Sequence, residues 1–71
     1  MADSVYKFIE LVGTSSESWE KAAAAAVTQA SKSVRDLRVA EIVQLDVAIE
    51  NGKIKSYRAK VKLSFKIESK K

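Results

Sequence analysis

Asn51-Gly52 is the feature that most restricts how this chain can fold. A type I′ turn needs positive φ at both central positions, which Asn and Gly tolerate, and its twist matches that of two antiparallel strands. The downstream flank keeps to a strand pattern. Tyr57, Ala59, Val61, Leu63, Phe65 and Ile67 alternate with Ser56, Arg58, Lys60, Lys62, Ser64 and Lys66, the period of a strand with one buried face. A two-residue turn sets Ile49 opposite Ile54, and the register then runs outward. Ala40, Ile42, Gln44 and Asp46 fall on one face with Leu63, Val61, Ala59 and Tyr57. Val39, Glu41, Val43 and Leu45 share the other with Ser64, Lys62, Lys60 and Arg58, where Glu41 is expected to face Lys62 as a cross-strand ion pair. A β-bulge in this long strand before the turn would flip part of this assignment.

Two more elements precede the hairpin. Val5–Val12, VYKFIELV, is rich in β-branched and aromatic residues and is expected to end at Gly13-Thr14. Val5, Ile9 and Leu11 lie on one side and Tyr6, Phe8 and Val12 on the other, so both faces of this strand are apolar. One helix covers one face of a small sheet, and the second face therefore points to a partner subunit. The stretch GTSSESWEKAAAAAV opens a helix, with Ser15 or Ser16 as N-cap and Thr14–Glu17 as a capping box. Glu17 and Glu20 complement the positive end of the dipole, and Ala22–Ala26 carry the best helix propensity. Trp19, Ala23, Ala26, Val27, Ala30, Val34 and Leu37 recur at spacings of three and four, forming the apolar stripe of a helix from about 16 to 35. Lys21, Thr28, Lys32 and Arg35 fill its polar side. The order is strand, helix, strand, strand: an α+β fold with a three-stranded antiparallel sheet wrapped around one helix, in one domain, 1–71. The Glu-Ser-Lys-Lys tail is expected to fray.

Size and composition narrow the function. A chain of 71 residues buries only about 60% of the surface its unfolded form exposes. With no Cys and no His, disulfides, thiolate metal sites and the commonest general base are excluded. Association with other chains is left as the route to stability. No apolar run approaches the ~20 residues that span a bilayer, and MADSVYKF lacks the basic-then-apolar form of a signal peptide. A cytoplasmic protein without a membrane partner is expected. The formal charge of +4 divides unevenly, with a net −3 over residues 1–52 and +7 over 53–71. A basic half fits either a phosphate-bearing partner or a solvated strand face guarded by lysines.

No glycine-rich phosphate loop and no calcium-loop pattern occurs, since Gly13 and Gly52 are the only glycines. No nucleophile has a histidine partner. Glu17 and Glu20 read as dipole and solvent partners. Trp19 is either a stacking platform for a flat ligand or the anchor that fills the volume the alanines leave. Arg58 sits mid-strand beside Leu45, and with Lys60 and Lys62 it could hold a phosphate or an acidic partner. Asp46 falls among apolar residues of its strand, where an acid is hydrogen-bonded, ion-paired or holding a cation.

The sequence resembles the dodecins. The similarity runs from about Ser4 to Glu68 and rests on Val12-Gly13-Thr14-Ser15 ending a strand, Glu17-Ser18-Trp19-Glu20 opening a helix, Val39-Ala40-Glu41-Ile42-Val43 after it, and Val61-Lys62-Leu63-Ser64-Phe65 closing the last strand. The resemblance implies a β-α-β-β fold and a hollow homododecamer of tetrahedral symmetry. It also implies a ligand site: flavin-storing dodecins stack the isoalloxazine of riboflavin or FMN on a tryptophan at the start of the second strand, and a glutamine of the third strand hydrogen-bonds the ring. Here those positions are Val39 and Arg58, of which one has no π-face and the other accepts no hydrogen bond. Ser18-Trp19-Glu20, Arg38-Val39-Ala40 and Asp46 are more similar to the calcium-dodecin branch, which lacks that tryptophan. The resemblance thus implies a non-enzymatic, calcium- or cation-binding homododecameric shell, with Asp46 as the candidate metal ligand. A flavin-binding dodecin with an altered site is the alternative. A third reading, from another class, is a nucleic-acid-binding module using the basic strand 53–66, although no exposed aromatics interleave that row for base stacking.

Overall fold

The computed structural model describes residues 4–67. It contains β1 (Val5–Ser15), α1 (Trp19–Ser31), β2 (Leu37–Glu50) and β3 (Lys53–Ile67), the β-α-β-β order read from the sequence. All pairings are antiparallel in the order β1-β3-β2, so the last strand is central and the first two are edges. The alternation of β3 is the cleanest in the chain because β3 alone pairs on both sides. The tail 68–71 lies outside the described residues.

Asn51 and Gly52 adopt φ of 54° and 74° and close the hairpin, with Ile49 opposite Ile54. Three irregularities follow, where two residues of one strand face one of the other: Arg38 and Val43 are the extra residues in β2 and Lys55 is the extra residue in β3. The Lys55 bulge shifts the register by one immediately after the turn, and the Val43 bulge shifts it back. The expected pairings therefore hold for Val39, Ala40, Glu41 and Ile42, and fail between them and the turn. Leu45 faces Ala59, and Asp46 faces Arg58 in place of Tyr57. Period-2 alternation makes a one-residue slip exchange the faces, so Gln44 and Asp46 leave the helix side and Leu45 and Val47 join it.

The helix starts later and stops earlier than the stripe predicts. Ser15 belongs to β1, and its hydroxyl accepts the N–H groups of Glu17 and Ser18 in the turn, so it does not cap the helix. Ser18 is the N-cap and accepts from Lys21 N at 3.0 Å. No Thr14–Glu17 box forms, because Thr14 is in the strand and Glu17 pairs with Lys21 one turn on. At the other end Gln29 and Ala30 carbonyls take the N–H groups of Lys32, Ser33 and Val34, and Asp36 turns left-handed at φ 59°. Val34 and Leu37 consequently lie beyond the helix.

β1 runs through Gly13 to Ser15, past its expected end at Val12, and the reason is a close approach. A Cβ on Gly13 would lie 2.0 Å from the Ala22 carbonyl oxygen, so only glycine lets α1 settle on this strand. Ala22, Ala26 and Ala30 form the buried line of the helix against Ala59, Val61 and Leu63, with Ile9, Leu11, Ala23, Val27 and Leu37 around them. Small side chains on both surfaces allow this closeness. The helix is about 20 Å long, whereas the molecule extends 56 Å. Ile42, Leu45, Ile49, Ile54 and Val5 therefore remain exposed.

Candidate functional site

The sheet face away from the helix is organised in rows across β1, β3 and β2: Thr14–Arg58–Asp46, Val12–Lys60–Gln44, Glu10–Lys62–Glu41 and Phe8–Ser64–Val39. Lys62 stands between two acids, and its Nζ lies 5.3 Å from the Phe8 ring centroid, a cation–π contact. Lys60 has no acid in its row. Tyr6, Phe8, Val12 and Val39 leave large apolar surface open on the same face, the second apolar side of β1 that the sequence shows.

Asp46 is where this face joins the helix. Arg58 Nε donates to Asp46 Oδ1 at 2.8 Å and Nη2 to Oδ2 at 3.2 Å, a bidentate fork that matches guanidinium to carboxylate. The hydrogen bond from Arg58 is the main reason the Asp46 carboxyl is held below its ordinary value of 3.8; Arg58 and Lys60 charges add to it and desolvation opposes it. Arg58 is raised in turn by Asp46. The backbone carbonyl of the same residue accepts the Trp19 indole Nε1–H at 3.0 Å. The Trp19 ring meets Tyr57 edge-on at a centroid distance of 5.0 Å, worth about 0.5–1.5 kcal/mol beyond burial. Trp19 thus anchors α1 to the hairpin from the edge of the core, with its ring partly open to solvent.

The three residues singled out by the sequence are not gathered into one place. Arg58 and Asp46 are in contact. Val39 is on the same face as Arg58, as expected, but Ser64, the partner of Val39, lies six positions along β3 from Arg58, which is about 20 Å of strand. One protomer cannot present Val39 and Arg58 to one ring. No group of three His, Cys, Asp or Glu residues able to hold an ion occurs among the described residues. The Trp19–Asp46 bond is the contact that sequence reasoning missed; a lone tryptophan on a helix start was its only signal.

Comparison with known proteins agrees with this architecture. The dodecin family model matches residues 5–68. The chain is 52% identical over 65 residues to the calcium dodecin of Mycobacterium tuberculosis, covering 90% of each. It is 38% identical over 64 residues to the dodecin of Thermus thermophilus, covering 90% of this chain and 93% of that one. The crystal structure of the M. tuberculosis protein, described as calcium chelating with a novel calcium-binding site, superposes with a TM-score of 0.82 at 46% identity over 96% of this chain and 97% of that chain. This chain belongs to the dodecin family.

No described helix is long and apolar enough to cross a membrane.

Proposed function

We propose that the chain assembles into a homododecameric shell that binds calcium and performs no catalysis. The observation that carries the reading is the 52% identity to a calcium dodecin over 90% of both chains. The protomer's own shape supports assembly. Large apolar side chains are open on both faces of the sheet, and both outer strands have a free edge, which a second copy would cover.

Asp46 is the candidate calcium ligand. Calcium takes six to eight oxygens in loose geometry, so one carboxylate from each of several copies, with carbonyls and water, would have to complete the shell. Arg58 competes for the same carboxylate, and calcium binding at Asp46 requires the fork to open or to share an oxygen. Flavin storage is the alternative, with Val39 and Arg58 at the family positions. The exposed Val39 offers no aromatic surface, and Arg58 Nε and Nη2 each already donate to Asp46.

Calorimetric titration with calcium, paired with thermal unfolding in calcium and in EDTA, tests the reading. Saturable binding and a melting temperature lowered by EDTA are expected, and Asp46→Asn should abolish the EDTA effect. No heat at millimolar calcium and no EDTA effect would reject the calcium function. Calcium binding unchanged in Asp46→Asn would keep the function and remove Asp46 from the site.

A further inference from the structure

Asn51 is the one asparagine in the chain, and it precedes Gly52 at the tip of the hairpin. We propose that this turn is a site of spontaneous covalent modification, at which Asn51 deamidates to aspartate and isoaspartate and the isoaspartate form opens the end of the sheet. The reacting groups are the side-chain amide of Asn51 and the backbone nitrogen of Gly52. A turn of this kind is closed by a bond between its first and fourth residues, here the Glu50–Lys53 pair, so the Gly52 N–H stands outside the ladder. It makes no other turn or loop hydrogen bond among the described residues. Both turn residues are exposed, and a Cβ built on Gly52 would meet nothing within 4 Å. Neither a side chain of its own nor a neighbour hinders attack by this nitrogen.

Water is the only co-reactant needed. The Gly52 nitrogen gives its proton to hydroxide and bonds to Asn51 Cγ. The Cγ–Nδ2 bond breaks, and Nδ2 takes a proton from water and leaves as ammonia. Water then opens the five-membered imide at one of its two carbonyls. Cleavage at Cγ restores the main chain and leaves aspartate. Cleavage at the Asn51 carbonyl carbon leaves isoaspartate, whose main chain runs through Cβ and Cγ.

The folded tip sets the pace and the consequence. Ring closure swings the Gly52 nitrogen beside Asn51 Cβ and takes the backbone out of the turn, so the reaction passes through local opening. Little packing resists that opening: Ile49 and Ile54, the pair behind the turn, are 68% and 58% exposed, and the bulge at Lys55 interrupts the ladder next to them. The aspartate product keeps the turn, since Asp-Gly suits type I′ as Asn-Gly does. Isoaspartate lengthens the main chain by one atom between the strands, and the two-residue turn no longer closes the Glu50–Lys53 pair. This chemistry uses neither Asp46 nor calcium, so it stands or falls separately from calcium binding.

Storage of the assembled protein at mildly alkaline pH, followed by ammonia release and peptide mapping with isoaspartate detection, tests the site. Ammonia should appear in step with conversion at residue 51 and in proportion to hydroxide, with Gln29 and Gln44 unchanged. Asn51→Gly keeps a pair suited to the turn and should release none. Amide hydrogen exchange at Glu50 and Lys53 should quicken about tenfold in the isoaspartyl protein, as expected for loss of a local closing pair, and keep the native rate in Asn51→Asp. Ammonia release no faster than from Asn51→Gly would overturn the proposal. So would isoaspartate formation that leaves exchange at Glu50 and Lys53 unchanged, or the same quickening in Asn51→Asp, which would assign the effect to charge alone.

Discussion

Trp19 and Asp46, 27 residues apart, are joined by a hydrogen bond from the indole Nε1–H to the aspartate's backbone carbonyl. The same residue's carboxylate is held by Arg58 across the sheet. One bond fixes the helix start to β2, and the fork fixes β2 to β3. Asp46 therefore links three elements through its main chain and side chain. Trp19→Phe keeps an aromatic ring near Tyr57 and removes the donor together with part of the ring. It should lower stability by about 0.5–1.5 kcal/mol, measured as a shift in the urea midpoint with unchanged slope.

Gly13→Ala should be far more damaging than its single methyl suggests. The new Cβ meets the backbone carbonyl of Ala22, which has no rotamer to change. Either the helix lifts from β1 or the strand bends away, and overpacking of this kind costs about 1–3 kcal/mol or more. Thermal unfolding followed by circular dichroism would show the loss, and a wild-type melting temperature would disprove the close approach.

Acid should weaken the Asp46–Arg58 link in a defined direction. The Asp46 pKa is depressed in the folded protein, so the pair's contribution is fully present above the ordinary carboxylate value and is lost as pH falls through the lower folded value. Carboxyl NMR should find the Asp46 titration below 3.8. Arg58→Gln should move it upward, because the hydrogen bond from Arg58 is the leading cause of the depression.

Val39 and Arg58 should make this chain a poor flavin binder. Added riboflavin should be quenched weakly by the native protein and more strongly by Val39→Trp with Arg58→Gln. Stacking of a flat ring on an aromatic side chain is worth about 1–3 kcal/mol. Because Val39 and Arg58 of one protomer lie about 20 Å apart along the strands, the gain should appear only in the assembled protein. Tight binding by the native chain would show that other residues hold the ring.

The strong local signals of the sequence proved informative, and its compensating irregularities stayed hidden. Asn51-Gly52 placed the turn and the Ile49–Ile54 pair, and the alternation of β3 gave the buried side of the sheet, Ala59, Val61 and Leu63. The bulges at Val43 and Lys55 cancel each other, so the register is displaced only between them. β2 conceals that displacement because it carries apolar residues on both faces: Val39, Ile42, Val43 and Leu45 are all exposed in this chain. Asp46 and Leu45 therefore exchanged sides with no signal in composition. The helix start was ambiguous for a different reason. Ser15, Ser16 and Ser18 can all cap, and only the length of β1 decides among them. Gly13 read as a strand end because glycine's commoner use is in turns; its use here, admitting the helix, depends on packing that no local pattern records.

Native mass spectrometry of the purified protein, with and without added calcium, tests the central claim most directly. The account predicts one assembled species at the mass of a dodecamer, retaining calcium when it is supplied and losing it to EDTA. A folded monomer at micromolar concentration, or a dodecamer that never carries calcium, would contradict it.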